Sequence, residues 1–320
     1  MSLVLWIPVL AVSLAALVWA AGIFIRAAER IGLAFGLPPF LIGVSLIALG
    51  TSLPELVSGV TAVVNGASEI AVGTAVGSNV TNILMILGIS ALLGGGLTVD
   101  HELVSVDLPY LFGSALLLWM FGADGSIGWL EGLISLAALA AYLVYAASTP
   151  EEPGTTVAAA AAETVPAAPP EAARLPARVW VELVLSAAVT QAAAWFTVES
   201  VVRLSEALAV GTAVIATTAV ALGTSLPELV VSARSAREGR PELAVGNVVG
   251  SNVFNALGVV GVSALFGRLS VPPEMVTFTL PAMVGTTVLA FFVLQEREMT
   301  RWDGWLLLAV YAGFLVQVVR

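Results

Sequence analysis

Residues 49–57 read Leu49-Gly50-Thr51-Ser52-Leu53-Pro54-Glu55-Leu56-Val57, and the same nine letters return as Leu222-Gly223-Thr224-Ser225-Leu226-Pro227-Glu228-Leu229-Val230. The match continues without a gap: residues 49–88 align with 222–261 at a constant offset of 173, with 22 of the 40 positions identical. Gly77-Ser78-Asn79-Val80 returns as Gly250-Ser251-Asn252-Val253, and Asn82 returns as Asn255. Apolar helices resemble one another through Leu, Val and Ala. Agreement in Thr, Ser, Pro, Glu, Asn and Gly marks an internal duplication instead.

The chain around this repeat belongs in a bilayer. Of its 320 residues 59% are hydrophobic and 11% charged, with a mean hydropathy of +1.01, whereas a soluble globular chain carries about 25% charged residues. The absence of cysteine excludes disulfides and thiolate metal sites, and the single histidine, His101, excludes a multi-histidine centre. A net charge of −10 argues against a nucleic-acid partner. Apolar stretches long enough to span fall near 2–25, 38–65, 69–94, 104–122, 126–148, 179–207, 211–238, 242–266, 273–294 and 302–319, which makes ten. Turn and charge signals separate them, among them Gly94-Gly95-Gly96, Asp124-Gly125, Gly239-Arg240-Pro241 and Glu296-Arg297-Glu298. A signal peptide is the competing reading of the first stretch. No basic residue precedes its apolar run and Arg26 and Arg30 follow it, so it is read as a retained span with the N-terminus outside.

Every basic residue is an arginine, which makes the orientation test simple. With the N-terminus outside, Arg26, Arg30, Arg174, Arg178, Arg234, Arg237, Arg240, Arg297 and Arg301 fall on the cytoplasmic side, and only Arg203, Arg268 and Arg320 outside. That partition follows the positive-inside rule and puts the C-terminus outside as well, in a multi-pass protein of the cell membrane. Residues 149–178, rich in Pro, Ala and Glu, read as a flexible cytoplasmic linker. It divides the chain into a first five-helix unit (1–148) and a second (179–320). The repeated segments are spans two and three of each unit, and an odd number of spans separates equivalent points. The copies therefore cross the membrane in opposite senses: an all-α polytopic protein of two inverted repeats, an architecture typical of secondary transporters.

Each copy sets Gly-Thr-Ser-Leu-Pro-Glu near the middle of an apolar span. Proline withholds a backbone donor and clashes with the preceding turn, so the helices should break just before Pro54 and Pro227. Carbonyls around residues 48–51 and 221–224 should then lose their intrahelical donors, which is tolerated at that depth only inside protein or beside a cavity. Glu55 and Glu228 are intramembrane acids, costing about 2.5–3.5 kcal/mol on insertion scales and marking a functional site by default. No arginine is expected near the midplane to neutralise them. Carboxylates, hydroxyls, amide oxygens and carbonyls are hard ligands suited to calcium, sodium or magnesium. Glu55, Glu228 and the carbonyls of Thr51 and Thr224 can supply most of a calcium shell. Ser52, Ser225, Ser78, Ser251, Asn82 and Asn255 offer neutral oxygens for smaller neighbouring sodium sites.

The paired Gly-Thr-Ser-Leu-Pro-Glu and Gly-Ser-Asn-Val-x-Asn motifs resemble the two alpha repeats of the sodium/calcium exchanger family, within the cation/calcium antiporter superfamily, and the ten spans are similar to its prokaryotic members. The resemblance implies that calcium and sodium share Glu55 and Glu228. It implies that Thr51, Ser52, Thr224, Ser225, Ser78 and Ser251, with the carbonyls of Ala48 and Ala221, form flanking sodium sites, and that Asn82 and Asn255 line a middle position. It further implies mobile gating helices at 2–25 and 179–207, a ratio of three sodium ions to one calcium, and, from asparagine at 255, the potassium-independent branch. The expected function is secondary active sodium/calcium antiport by alternating access. A proton/calcium antiporter is the alternative, because burial pushes both acids toward protonation; a passive cation channel is a third reading from another class.

No enzyme is expected, since one loop histidine and no cysteine leave little for nucleophilic or metal catalysis. Calcium, sodium and the lipid bilayer are the expected partners, with no cofactor and no obligate protein partner. Glu199 and Arg203 read as an i,i+4 ion pair. Asp107, Glu131 and Glu182 read as span-end residues hydrated at the interface, and Trp180, Trp302 and Trp305 as interfacial anchors.

Overall fold

The computed structural model describes residues 3–148, 175–207 and 225–319. Its helices are α1 (Leu3–Ala34), α2 (Pro39–Thr51), α3 (Leu53–Val64), α4 (Glu69–Gly94), α5 (Asp107–Gly122), α6 (Trp129–Ser148), α7 (Ala177–Ala207), α8 (Leu226–Arg237), α9 (Pro241–Phe266), α10 (Met275–Leu294) and α11 (Arg301–Val319). Six of them (α1, α4, α6, α7, α9 and α10) are long and apolar enough to cross a bilayer, and the α2–α3 pair, bent by 42°, makes a seventh. The expected spans at 104–122 and 302–319 appear as α5 and α11. Of the span expected at 211–238, α8 is the described part. Most of the expected linker, 149–174, lies outside the described residues, as does the segment 208–224.

Burial grades the helices by position. In α4 and α9, 78% and 83% of the apolar window is buried, against 28–33% in α1, α6, α7 and α10. The repeated motif helices thus form the centre, and the others shield them from lipid. Large apolar side chains such as Trp19, Leu130, Val184, Trp195 and Phe292 point outward, as a hydrocarbon solvent allows and water does not. Trp180, Trp302 and Trp305 are exposed near helix starts, where an interfacial ring sits.

Two short antiparallel ladders report the course of the chain. Strand β1 (Leu97–Thr98) pairs with β4 (Glu298–Met299), and β2 (Ser126–Ile127) pairs with β3 (Leu269–Ser270). Each ladder joins a loop of the first half to a loop of the second. Helix α5 runs from the β1 end to the β2 end, while α10 runs from β3 back to β4, so these two packed helices are antiparallel. Each carries a Leu-Pro pair near its start, Leu108-Pro109 in α5 and Leu280-Pro281 in α10. The other packing partners exchange in the same way. Helix α4 packs on α11 as α9 packs on α6, α3 on α9 as α8 on α4, and α1 lies along α7.

The centre closes because glycine lets backbones touch. A Cβ at Gly246 would stand 2.3 Å from the Phe40 carbonyl oxygen, one at Gly250 2.3 Å from that of Val44, and one at Gly43 2.8 Å from that of Leu243. Small residues four apart on α9 thus bring its backbone against α2, the close-packing mode of membrane helices.

One span-end residue departs from expectation. Asp107 is fully buried, where an interfacial, hydrated carboxylate was expected. Tyr142 of α6 donates to its Oδ1 at 2.8 Å, and His101 Nε2 lies 3.0 Å from its Oδ2. The 95–106 loop folds back over the start of α5, with the His101 ring stacked on Phe40 at 4.4 Å, and this cover excludes water. Glu131 accepts the Gly128 N–H, and Glu182 pairs with Arg178 at 2.7 Å. Arg203 pairs with Glu199 at 2.7 Å, as the i,i+4 spacing predicts.

Candidate cation site

The first proline break occurs where the sequence puts it, and the second motif repeats its geometry from Ser225 onward, the residues before Ser225 lying outside the described ones. Helix α2 ends at Thr51 and α3 begins at Leu53, with Ser52 between them at φ −87°, ψ 6°. Before α8 Ser225 adopts φ −87°, ψ 5°. The two copies share one local geometry, and Pro54 and Pro227 each occupy the second position of the new helix, where the missing N–H costs nothing. Glu55 and Glu228 follow in the first turn, at the positive end of the half-helix dipole.

Proline's effect on the carbonyls is narrower than the sequence reading expected. In an α-helix the N–H of residue 54 would serve the Gly50 carbonyl, and that bond is the one Pro54 removes. Ala48, expected to lose its donor too, keeps it: its carbonyl accepts the Ser52 N–H at 3.0 Å.

The halves interlock through side chains at the breaks. Ser52 Oγ, from the first break, donates to Glu228 Oε1 at 3.3 Å. Ser225 Oγ, from the second, donates to Ser78 Oγ at 3.2 Å, and Ser78 Oγ donates to Glu55 Oε1 at 3.4 Å. Thr51 Oγ1 donates to Asn247 Oδ1 at 3.2 Å and lies 3.5 Å from Ser251 Oγ. Thr51, Ser52, Glu55, Ser78, Asn82, Ser225, Glu228, Ser251 and Asn255 are all buried. Ala221 and Thr224, also predicted for the site, lie outside the described residues.

Several of these groups have unused bonding capacity. Among the described residues, Glu228 Oε2 and both amide atoms of Asn82 and of Asn255 are buried without a hydrogen-bond partner, as is Oδ1 of Asn79 and of Asn252. Leaving a buried polar atom unsatisfied costs about 1–3 kcal/mol, so four such asparagines on the two central helices, with Glu228 of α8 beside them, have a use that protein partners do not supply. Asn82 opens a π turn (Asn82–Leu87) in α4, and Asn255 lies within its counterpart in α9 (Phe254–Val259). Such turns displace the local ladder and favour functional positions. None of the described ion pairs uses Glu228; they lie toward helix ends, as in Arg240–Glu29, Arg234–Glu238 and Arg297–Glu102.

Among the described residues, no group of three or more His, Cys, Asp or Glu side chains forms a metal cluster. The donor set is instead two carboxylates with neutral hydroxyl, amide and carbonyl oxygens, which fits a weakly held, exchangeable hard cation better than a resident metal.

Sequence reasoning missed three participants. Asn247 bridges Thr51 to Ser232, donating to Ser232 Oγ at 2.8 Å. Asn79 Nδ2 donates to the Asn252 carbonyl at 3.1 Å, tying the two central helices together. Gln191, on α7, donates to the carbonyls of Gly50 and Thr51. Asn79 stood within the duplicated motif and was legible there. Asn247 and Gln191 lie off the duplicated letters, and only an amide in an apolar helix marked them.

Known proteins resemble the chain along nearly its whole length. A family model described as sodium/calcium exchanger protein matches residues 5–147 and 178–320. The sodium/calcium exchanger MaX1 of Methanosarcina acetivorans is 32% identical over 339 residues, covering 96% of this chain and 97% of that one. The putative antiporter CaxA of Alkalimonas amylolytica is 32% identical over 312 residues, covering 95% of each. The solved structure of the sodium-calcium exchanger NCX_Mj, soaked with zero Na+ and Ca2+, superposes with a TM-score of 0.83 at 26% identity, covering 99% of this chain and all of that one.

Proposed function

This chain belongs to the sodium/calcium exchanger family, and from that premise we propose how its own residues carry the exchange. It is a multi-pass membrane antiporter, not an enzyme, and it exchanges sodium for calcium. Its cargo site is formed by Glu55 and Glu228 with the Thr51 and Thr224 carbonyls. Ser52, Ser225, Ser78, Ser251, Asn82, Asn255 and the carbonyls of Ala48 and Ala221 supply flanking oxygens. The observation that carries this reading is the cross-half network, in which Ser52 reaches Glu228 and Ser225 reaches Ser78 and through it Glu55. A site assembled from both halves changes shape when the halves move.

With both acids ionised the site carries −2, and exposing that charge to a low-dielectric barrier is unfavourable. One calcium cancels it, as do two sodium ions, and a third sodium on the neutral oxygens leaves +1. Either ion set therefore stabilises the states that change sides, which couples the fluxes. The full topology is ten spans in two inverted five-helix units, residues 1–148 and 179–320, joined by a cytoplasmic linker, with both termini outside. The antiparallel run of the equivalent helices α5 and α10 and the exchanged β ladders support the inversion.

The test is calcium-45 uptake into proteoliposomes under one imposed gradient at a time. An outward sodium gradient alone drives uptake. Uptake driven by a pH gradient and indifferent to sodium would overturn the assignment.

A further inference from the structure

We propose that Gln191 is a positioning residue of the cation site. From α7, a helix outside the duplicated motifs, its side-chain amide holds the carbonyl that Pro54 orphans and the one beside it. The inference rests on the reading above that the Thr51 carbonyl is a cargo ligand.

The geometry is specific. Gln191 Nε2 donates to Gly50 O at 3.2 Å and to Thr51 O at 3.2 Å. Pro54 has no N–H to offer Gly50, so an outside donor replaces the missing backbone bond. A carbonyl oxygen has two lone pairs, and with one committed to the amide the Thr51 oxygen still has one for a cation. The amide thus fixes the carbonyl's direction while leaving it able to ligate.

The position is not duplicated. Subtracting the offset of 173 from 191 gives Val18 on α1, which carries no donor in its side chain. There the roles are reversed. Arg234 of α8 reaches out to the Val18 carbonyl at 2.5 Å, passing beside Gly22, where a Cβ would meet its guanidinium at 2.3 Å. Among the described residues the α1/α7 pair is therefore fastened to the core by different side chains in the two halves, and the fastening through Gln191 ends on the cation site. Helix α7 is otherwise lightly attached, with 28% of its apolar window buried and its main partner α1. Gln191 consequently transmits the placement of α7 to the first break.

The test compares Gln191→Met, close in volume but unable to donate, with Gln191→Asn, which keeps the amide but is one methylene too short to span. Calcium-45 binding at equilibrium in detergent is measured together with sodium-driven uptake in proteoliposomes. Both variants should raise the calcium concentration for half-saturation by roughly tenfold, the scale of two lost amide–carbonyl hydrogen bonds. Sodium half-saturation should shift less, because calcium draws on more ligands. A purely structural role would lower the maximal rate and the folded yield while leaving the ratio of calcium to sodium affinity unchanged, and that result overturns the proposal. Glu228→Gln is run alongside. If it loses calcium binding while Gln191→Met binds normally, only the role of Gln191 falls; if it still binds calcium, the site itself has been misassigned.

Discussion

Gly250 opens the second Gly-Ser-Asn-Val motif, and replacing it with alanine should push two central helices apart. At Gly250 the added Cβ would lie 2.3 Å from the Val44 carbonyl oxygen and 2.6 Å from the Val44 Cα, both backbone atoms that cannot rotate away. Restoring van der Waals distance requires α2 and α9 to part by about 1 Å. Overpacking of that kind costs about 1–3 kcal/mol in a well-packed core. Function should suffer more than stability, because α2 carries Thr51 and α9 carries Ser251 and Asn247, which meet it at 3.5 and 3.2 Å. A displacement of about 1 Å in a demanding site costs on the order of a hundredfold. Sodium-driven calcium-45 uptake should therefore fall by about two orders of magnitude in Gly250→Ala, with a size-exclusion profile showing the protein folded. Normal uptake by Gly250→Ala would refute the claim that backbone contact between α2 and α9 sets the site's geometry.

Two further outcomes follow from the same coordinates. Glu55→Gln and Glu228→Gln each remove one of the site's two negative charges while keeping its shape, so sodium-driven calcium uptake should be lost in both; robust uptake in either contradicts the shared-carboxylate scheme. Tyr142→Phe removes the hydroxyl that donates to buried Asp107 at 2.8 Å, leaving that oxygen short of a partner, and should lower stability by about 1–3 kcal/mol. Thermal melts in detergent read this.

The duplicated letters carried most of what the fold required. Thr, Ser, Pro and Glu in a stretch that must otherwise be apolar have few physical excuses, so the break at Ser52 and the buried acids Glu55 and Glu228 could be read directly. Parity arguments extended this to an expected opposite direction of the two halves. What the letters did not give was lateral contact. Gln191 reaches Gly50 across 141 residues of chain, and Asn247 meets Thr51 across 196; neither spacing leaves a trace in local pattern. Asp107 misled for a related reason: a position near a span end suggests water, and only the fold of the 95–106 loop, with His101 stacked on Phe40, removes it. The Ala48 carbonyl shows a finer limit, since proline's missing donor belongs to one carbonyl and not to the whole preceding turn.

The central claim is that calcium and sodium compete for one pair of carboxylates. Calcium-45 bound at equilibrium to the purified protein, titrated with sodium at constant ionic strength and pH, measures that competition with no gradient or flux involved. Sodium should displace calcium completely and with a Hill coefficient above one, since more than one sodium ion replaces each calcium. Calcium that stays bound at saturating sodium, with choline giving the same curve, would contradict the account.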